Sequence, residues 1–400
     1  MARMSHEVSG AGVSDDTARD AARAGQDALG QVSDAARASG PASGPAFGRA
    51  PAHRGRATLA IIGLALALLL TLALATLQGT VTIAPLTTLE IVLRHLGLWW
   101  APPRWPATDE LILMQVRLPR ALGAALVGAA LGTAGALFQG LLRNPLADPL
   151  LLGTSSGAAL GAVVALVITS AVTVEWFGFS LVAVMAFAGA LLSVVVVYRL
   201  ASRGGRAPVV TLLLAGVAVG ALLTAAQTVL IVLETSLTQH FGVLYFWFSG
   251  AIDVESWTQL WIVAGLLTLG LVMALWLAPT LDAFAVGEEM AGHLGVPVER
   301  RKALIVGVAS LLVAASVTIG GLVGFVGLVA PHICRLLLGP RGRPLVAASA
   351  LGGAVFVTLA DLLARTVVAP SELPLGVVTA LIGGPFFLWL LRSIGQRYRW

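Results

Sequence analysis

Long apolar runs, each broken by charged or proline-rich residues, recur near 58–77, 119–139, 150–169, 180–199, 209–233, 257–277, 303–322, 325–338, 345–364 and 376–391. About 20 residues at 1.5 Å each match a hydrocarbon core of about 30 Å, so these runs read as membrane-crossing helices. The run at 325–338 is short for a full crossing. The pattern predicts an all-α polytopic membrane protein with about ten transmembrane helices, occupying 58–393. Residues 1–57 carry Ala, Gly, Ser, Asp and Arg with few large apolar side chains. They cannot bury a core and read as a disordered extension. Ala73-Leu74-Ala75 mimics a signal cleavage site, but the run from Thr58 is longer than a usual signal core, which favours an uncleaved first helix. Residues 394–400 read as a polar tail.

One run shows how such helices pack. Ala124, Gly128, Gly132, Ala136 and Gly140 fall every fourth residue and make a stripe of small side chains on one face. Such a stripe lets helix backbones approach closely where lipid supplies no hydrophobic drive, which places this helix inside a bundle. The helix at 119–139 and the Gly-rich helix at 303–322 run in opposite directions, as an inverted-topology repeat would require.

Composition agrees: 58% of the 400 residues are hydrophobic and 11% charged, where soluble domains carry about 25% charged. The net charge of +5 suits loops at an anionic membrane surface and calls for no nucleic acid. Cys334 is the single cysteine, which excludes an intrachain disulfide. With both termini inside, the inner loops hold Arg143, Arg199, Arg203, Arg206, Arg300, Arg301, Lys302, Arg335, Arg341, Arg343, Arg392, Arg397 and Arg399. The outer segment 234–256 has no Lys or Arg. Arg94, Arg104, Arg117, Arg120 and Arg365 break this rule by falling outside.

Several motifs carry candidate chemistry. In GEEMAGHLG (287–295), Glu288 and Glu289 suit a helix N-terminus, Gly295 can end that helix, and Pro297 can begin another. A phosphate-binding loop needs G-x-x-x-x-G-K-[ST]; Lys302 follows Arg301, so ATP-driven work requires a separate chain. Gly153-Thr154-Ser155-Ser156-Gly157 fits the G-x-S-x-G nucleophile pattern but opens an apolar helix, so tight packing is the better reading. His240 and Tyr245 lie toward the outer surface and read as solvated. Asp361 and Arg365 are four apart on one helix, in the order that favours an ion pair.

RLPR (117–120), the Gly/Ala helix ending in Gln139, RNPLADPLLLG (143–153), GEEMAGHLG, GFVGLVAPHICR (324–335), ADLLAR (360–365) and ELPLGVVTALIGGPFF (372–387) occur in the order seen in one family. Together they resemble the permeases of ABC importers for vitamin B12, ferric siderophores and heme.

The resemblance implies a type II importer permease that binds no cofactor itself. ATP and Mg would be bound by a partner ATPase. It also implies a homodimer, two ATPase subunits, a periplasmic binding protein and a bacterial inner membrane. Carried over, it assigns ATPase coupling to Gly287, Glu288, Glu289, Ala291, Leu294 and Gly295 within a cytoplasmic segment 279–302. It assigns the cytoplasmic gate to Asn144, Leu146, Val209 and Val210, and binding-protein docking to Arg117, Arg120 and Arg365. His332, in the family's Pro-His pair, takes a structural role. Heme or a ferric siderophore is the expected cargo, heme slightly first on the FWFSGAID segment (246–253). Alternatives are cobalamin import and, in other classes, a secondary transporter or an intramembrane serine hydrolase. The first rival needs ionisable residues at mid-membrane, which the spans nearly lack; the second rests on Ser155 alone.

Overall fold

The computed structural model describes residues 51–79, 81–169, 175–176, 179–234, 241–340 and 342–397. The chain separates into two units, residues 1–54 and 55–400, and the second holds the helical bundle. The expected disordered extension falls mostly outside the described residues, as do His240 and Arg341; residues 51–57 instead belong to the first helix.

Helix α1 (Pro51–Leu77) is followed by α2 (Pro85–His95) and by the short α3 (Ala107–Leu111). A π-helical stretch, Ile112–Arg117, carries α3 without a break into α4 (Leu118–Leu141). Pro119 has no N–H to donate and its ring crowds the preceding turn. The wide turn before it accommodates that loss, as π-bulges do. The proline therefore does not start the helix, as the sequence suggests; the rod runs from Ala107 to Leu141.

After α4 come a one-turn 3-10 helix (Pro149–Leu152), α5 (Thr154–Thr169) and a two-residue hairpin of β1 (Glu175–Trp176) and β2 (Phe179–Ser180). Then come α6 (Leu181–Ala201), α7 (Val209–Leu233), α8 (Phe241–Phe248) and α9 (Trp257–Ala285). The chain closes with α10 (Glu288–His293), α11 (Val298–Gly320), α12 (Val326–Leu338), α13 (Gly342–Thr366) and α14 (Leu375–Arg397). Among the described residues eight helices are long and apolar enough to cross a membrane, and α5 and α12 are shorter apolar ones. Helix α9 continues through Pro279 to Ala285, so the first residues of the expected 279–302 segment belong to a spanning helix. Helix α14 likewise runs into the expected tail.

The core forms around α4, packed by α9, α11, α12 and α13. Of its most apolar window 83% is buried, against 6% for α1, so α4 sits inside the bundle and α1 at its rim. The small-residue stripe explains this. A Cβ at Gly128 would collide with the Gly353 carbonyl of α13, and one at Gly132 with that of Ser349. Gly157 of α5 and Gly189 of α6 make a second such seam, each against the other's carbonyl. Gly123 lies beside Ile319 and Gly320 beside Val127, so the first turns of α4 meet the last turn of α11.

The two short helices fall short of a full crossing. At 16 and 13 residues, α5 and α12 reach about 24 and 20 Å. Gly327, at the start of α12, packs on Gly135 in the middle of α4 and on Pro149 in the loop before α5. Asp148 joins the two openings by accepting from the N–H groups of Leu150 and Phe325. Backbone that turns back at this depth has protein, not water, to satisfy it.

Candidate functional site

Three clusters carry the sequence-derived candidates, at two opposite ends of the bundle. At the end where α4 finishes, the chain leaves α9 through Gly287 (φ +114) and turns into α10. Gly295 (φ +81) lies just past the last residue of α10, as a left-handed helix stop requires, and Pro297 caps α11. Ala291 is fully buried and anchors the helix, while Glu289, Met290 and Leu294 are exposed. Met290 and Leu294, four apart, give this polar surface helix an apolar edge. The helix expected to end at Gly295 and the one expected to begin at Pro297 are thus one short helix and the start of a long one.

Asn144 and Leu146 come after α4 at the same end. The Asn144 side chain accepts from the Leu146 N–H and closes a turn. Val209 and Val210 are the first residues of α7, capped by Pro208, with Val210 exposed. Exposed Val210, Leu214, Val217, Leu222, Val229 and Val232 leave α7 largely uncovered in a single chain.

The opposite end gathers the three arginines, but not as exposed side chains. Arg117 is buried and donates to the carbonyls of Leu77 and Val81. Arg365 is buried, donates to Ala75 O and Gln78 O, and pairs with Asp361 at 3.1 Å. Arg120 meets Asp361 at 3.1 Å and Glu372 at 2.9 Å, and its side chain is 21% exposed. Arg117, assigned to docking by the resemblance, instead turns its guanidinium inward onto the end of α1. Glu372, within the ELPLG motif, was not foreseen as the partner of Arg120.

Other candidates resolve simply. Ser155 Oγ is buried with no hydrogen-bond partner among the described residues, so no base activates it. His332 is buried, with its ring edge-on to Phe386, as a packing residue would be. The FWFSGAID segment acts as a strap. Trp247 O accepts from Leu322 N, Ala251 N donates to Gly320 O, and Gly250 O accepts from Leu375 N. These bonds tie the end of α11 to the start of α14, a scaffolding role that weakens the case for heme. Lys302, counted among solvated inner-loop charges, is instead buried; a single lysine among many arginines was the signal that could have singled it out.

Residues 65–393 match the model of the FecCD transport family. The cobalamin import system permease protein BtuC of Halobacterium salinarum is 42% identical over 72% of this chain and 75% of its own length. The hemin transport system permease protein HmuU of Yersinia pestis is 37% identical over 72% of this chain and 85% of its own. A solved inward-facing metal-chelate type ABC transporter superposes with a TM-score of 0.70 at 28% identity, covering 83% of this chain and 98% of that one.

Proposed function

The chain belongs to the FecCD transport family and is a non-catalytic, multi-span permease of a type II ABC importer, and on that footing we propose that it passes a metal chelate from a periplasmic binding protein to the cytoplasm by alternating access. Two copies would line the path, each bound to one ATPase subunit that holds ATP and Mg, in a bacterial cytoplasmic membrane with both termini inside. The observation that carries this is α10, a short helix held between two positive-φ glycines that presents Met290 and Leu294 to solvent. Asn144 and Leu146 with Val209 and Val210 form the gate at the same end, and the uncovered α7 faces the second copy.

Docking of the binding protein falls to the arginine end, with its roles redistributed. Of the three candidates Arg120 is the one with solvent access, while Arg117 and Arg365 hold the frame on which it stands. For cargo, identity to a cobalamin permease at 42%, against 37% for a hemin permease, puts a corrinoid ahead of the heme favoured from sequence. Ferric siderophores are the third member of this class.

The test is reconstitution with a cognate ATPase and binding protein in proteoliposomes, offering cobalamin, hemin and a ferric hydroxamate in turn. Uptake of one chelate, dependent on ATP and on both partners, is expected. ATP-independent uptake, or none of any chelate by an assembled complex, overturns the reading.

A further inference from the structure

Lys302 is the chain's only lysine, and its side chain is 1% exposed. Its ammonium meets three groups from three places in the fold. Glu288 Oε2, on α10, lies 2.8 Å away. Glu299 Oε1, one turn earlier on α11, lies at 2.9 Å. Ala207 O, in the loop before α7, accepts at 3.1 Å. An ammonium has three donors, and all three are used.

The Ala207 side of this junction is held twice. Its N–H donates to Glu299 Oε2 at 3.0 Å while its carbonyl takes Lys302. Ala207 is itself buried, and Val209 opens α7 two residues later. Behind it, Arg203 and Arg206 exchange backbone hydrogen bonds around Gly204 and Gly205, both at positive φ. That closed turn leaves little slack between α6 and Ala207.

We propose that Lys302 is a positioning residue that ties α10 to the first turn of α7, so that displacement of the coupling helix is delivered to the gate pair Val209 and Val210. This rests on the reading of α10 as the ATPase contact and of Val209 and Val210 as the gate. An apolar contact between the same elements would let them slide. A buried ammonium with three directional partners moves them together, because breaking any arm strands a charge away from water. Glu288 thereby acquires a role distinct from that of Glu289 beside it, which is exposed and unattached to Lys302.

The test uses the full permease in proteoliposomes with its ATPase and binding protein. The reporter is Val210→Cys in a Cys334→Ser background, read as the rate of labelling by a membrane-impermeant maleimide with and without ATP. With Lys302 present, ATP changes the labelling rate. In Lys302→Met and in Glu299→Met the ATPase is expected to remain bound and to hydrolyse ATP, while labelling no longer responds. Substrate moved per ATP then falls roughly tenfold, within the range of coupling energies between sites. Lys302→Arg, which keeps the charge and the donors, is expected to retain most of both responses.

Native transport per ATP and an intact labelling response in either neutral variant would overturn the proposal. If Lys302→Met does not assemble, Glu299→Met decides alone, since it frees the Ala207 N–H and one arm of Lys302 without touching α10. Loss of ATPase binding in Glu299→Met would make that residue part of the contact surface and overturn the tie. Failure of the unmodified chain to bind any ATPase would sink the reading of α10 itself, and shows before any variant is made.

Discussion

Arg117 and Arg365 are buried where a helix end needs cations. The last carbonyls of α1 have no partner within the helix, and the dipole is negative there. Arg365 reaches Ala75 O and Gln78 O, and Arg117 reaches Leu77 O. Asp361, also buried, compensates Arg365 and Arg120 together. Arg365→Ala therefore leaves the buried Asp361 with Arg120 as its remaining cation and uncaps a helix at once. It should cost about 3–5 kcal/mol, the usual penalty for breaking a buried pair, read as a clear drop in melting temperature in detergent. Arg120→Ala should cost less, because its second partner, Glu372, has a side chain 41% exposed and such pairs contribute about 0.2–1 kcal/mol. Equal losses in the two variants would contradict this ranking.

Among elements, the seam between α4 and α13 depends on the absence of side chains. Gly128 and Gly353 each face the other's carbonyl oxygen, so even one methyl forces two backbones apart. Overpacking of this kind costs about 1–3 kcal/mol. Gly128→Ala should lower the yield and melting temperature of the solubilised protein. Gly63→Ala on α1 at the rim, where a Cβ meets nothing within 4 Å, should leave both unchanged. The stop of α10 is a second element-scale device. Gly295 sits at φ +81, which proline cannot reach. Gly295→Pro should re-aim Met290 and Leu294 and abolish co-purification of the ATPase while the bundle still melts as the parent does. Retained co-purification would mean that α10 does not make the contact.

For the molecule as a whole, the two ends of the bundle do different work. Of the three docking candidates at the arginine end, Arg117 and Arg365 are buried in internal contacts and Arg120 is the one an acidic partner can reach. Glu372 competes for it at 2.9 Å. Glu372→Gln should therefore tighten docking of the binding protein at low salt, and Arg120→Gln should weaken it, each by up to about 1 kcal/mol. Both effects should fade as ionic strength rises and the Debye length shortens. Binding that ignores both substitutions would place docking elsewhere on this end.

The all-helical membrane fold was legible in the order of residues, because a bilayer leaves few ways to satisfy a backbone and the length of each apolar run reports its crossing. So were the packing stripe of α4, the stop at Gly295, the ion pair of Asp361 with Arg365, and the short α12, all set by spacing within one element. Where charges from distant segments meet emerged only from the packing of the helices. Arg117 stands 40 residues from Leu77 O, Arg120 252 from Glu372, and Lys302 95 from Ala207 O. A charge read alone looks solvated; its burial depends on whether a partner closes over it, and no local pattern encodes that. The same holds for Pro119, which signals a helix start in a free segment. Here it is carried inside a longer rod, because a wide turn before it absorbs the lost hydrogen bond.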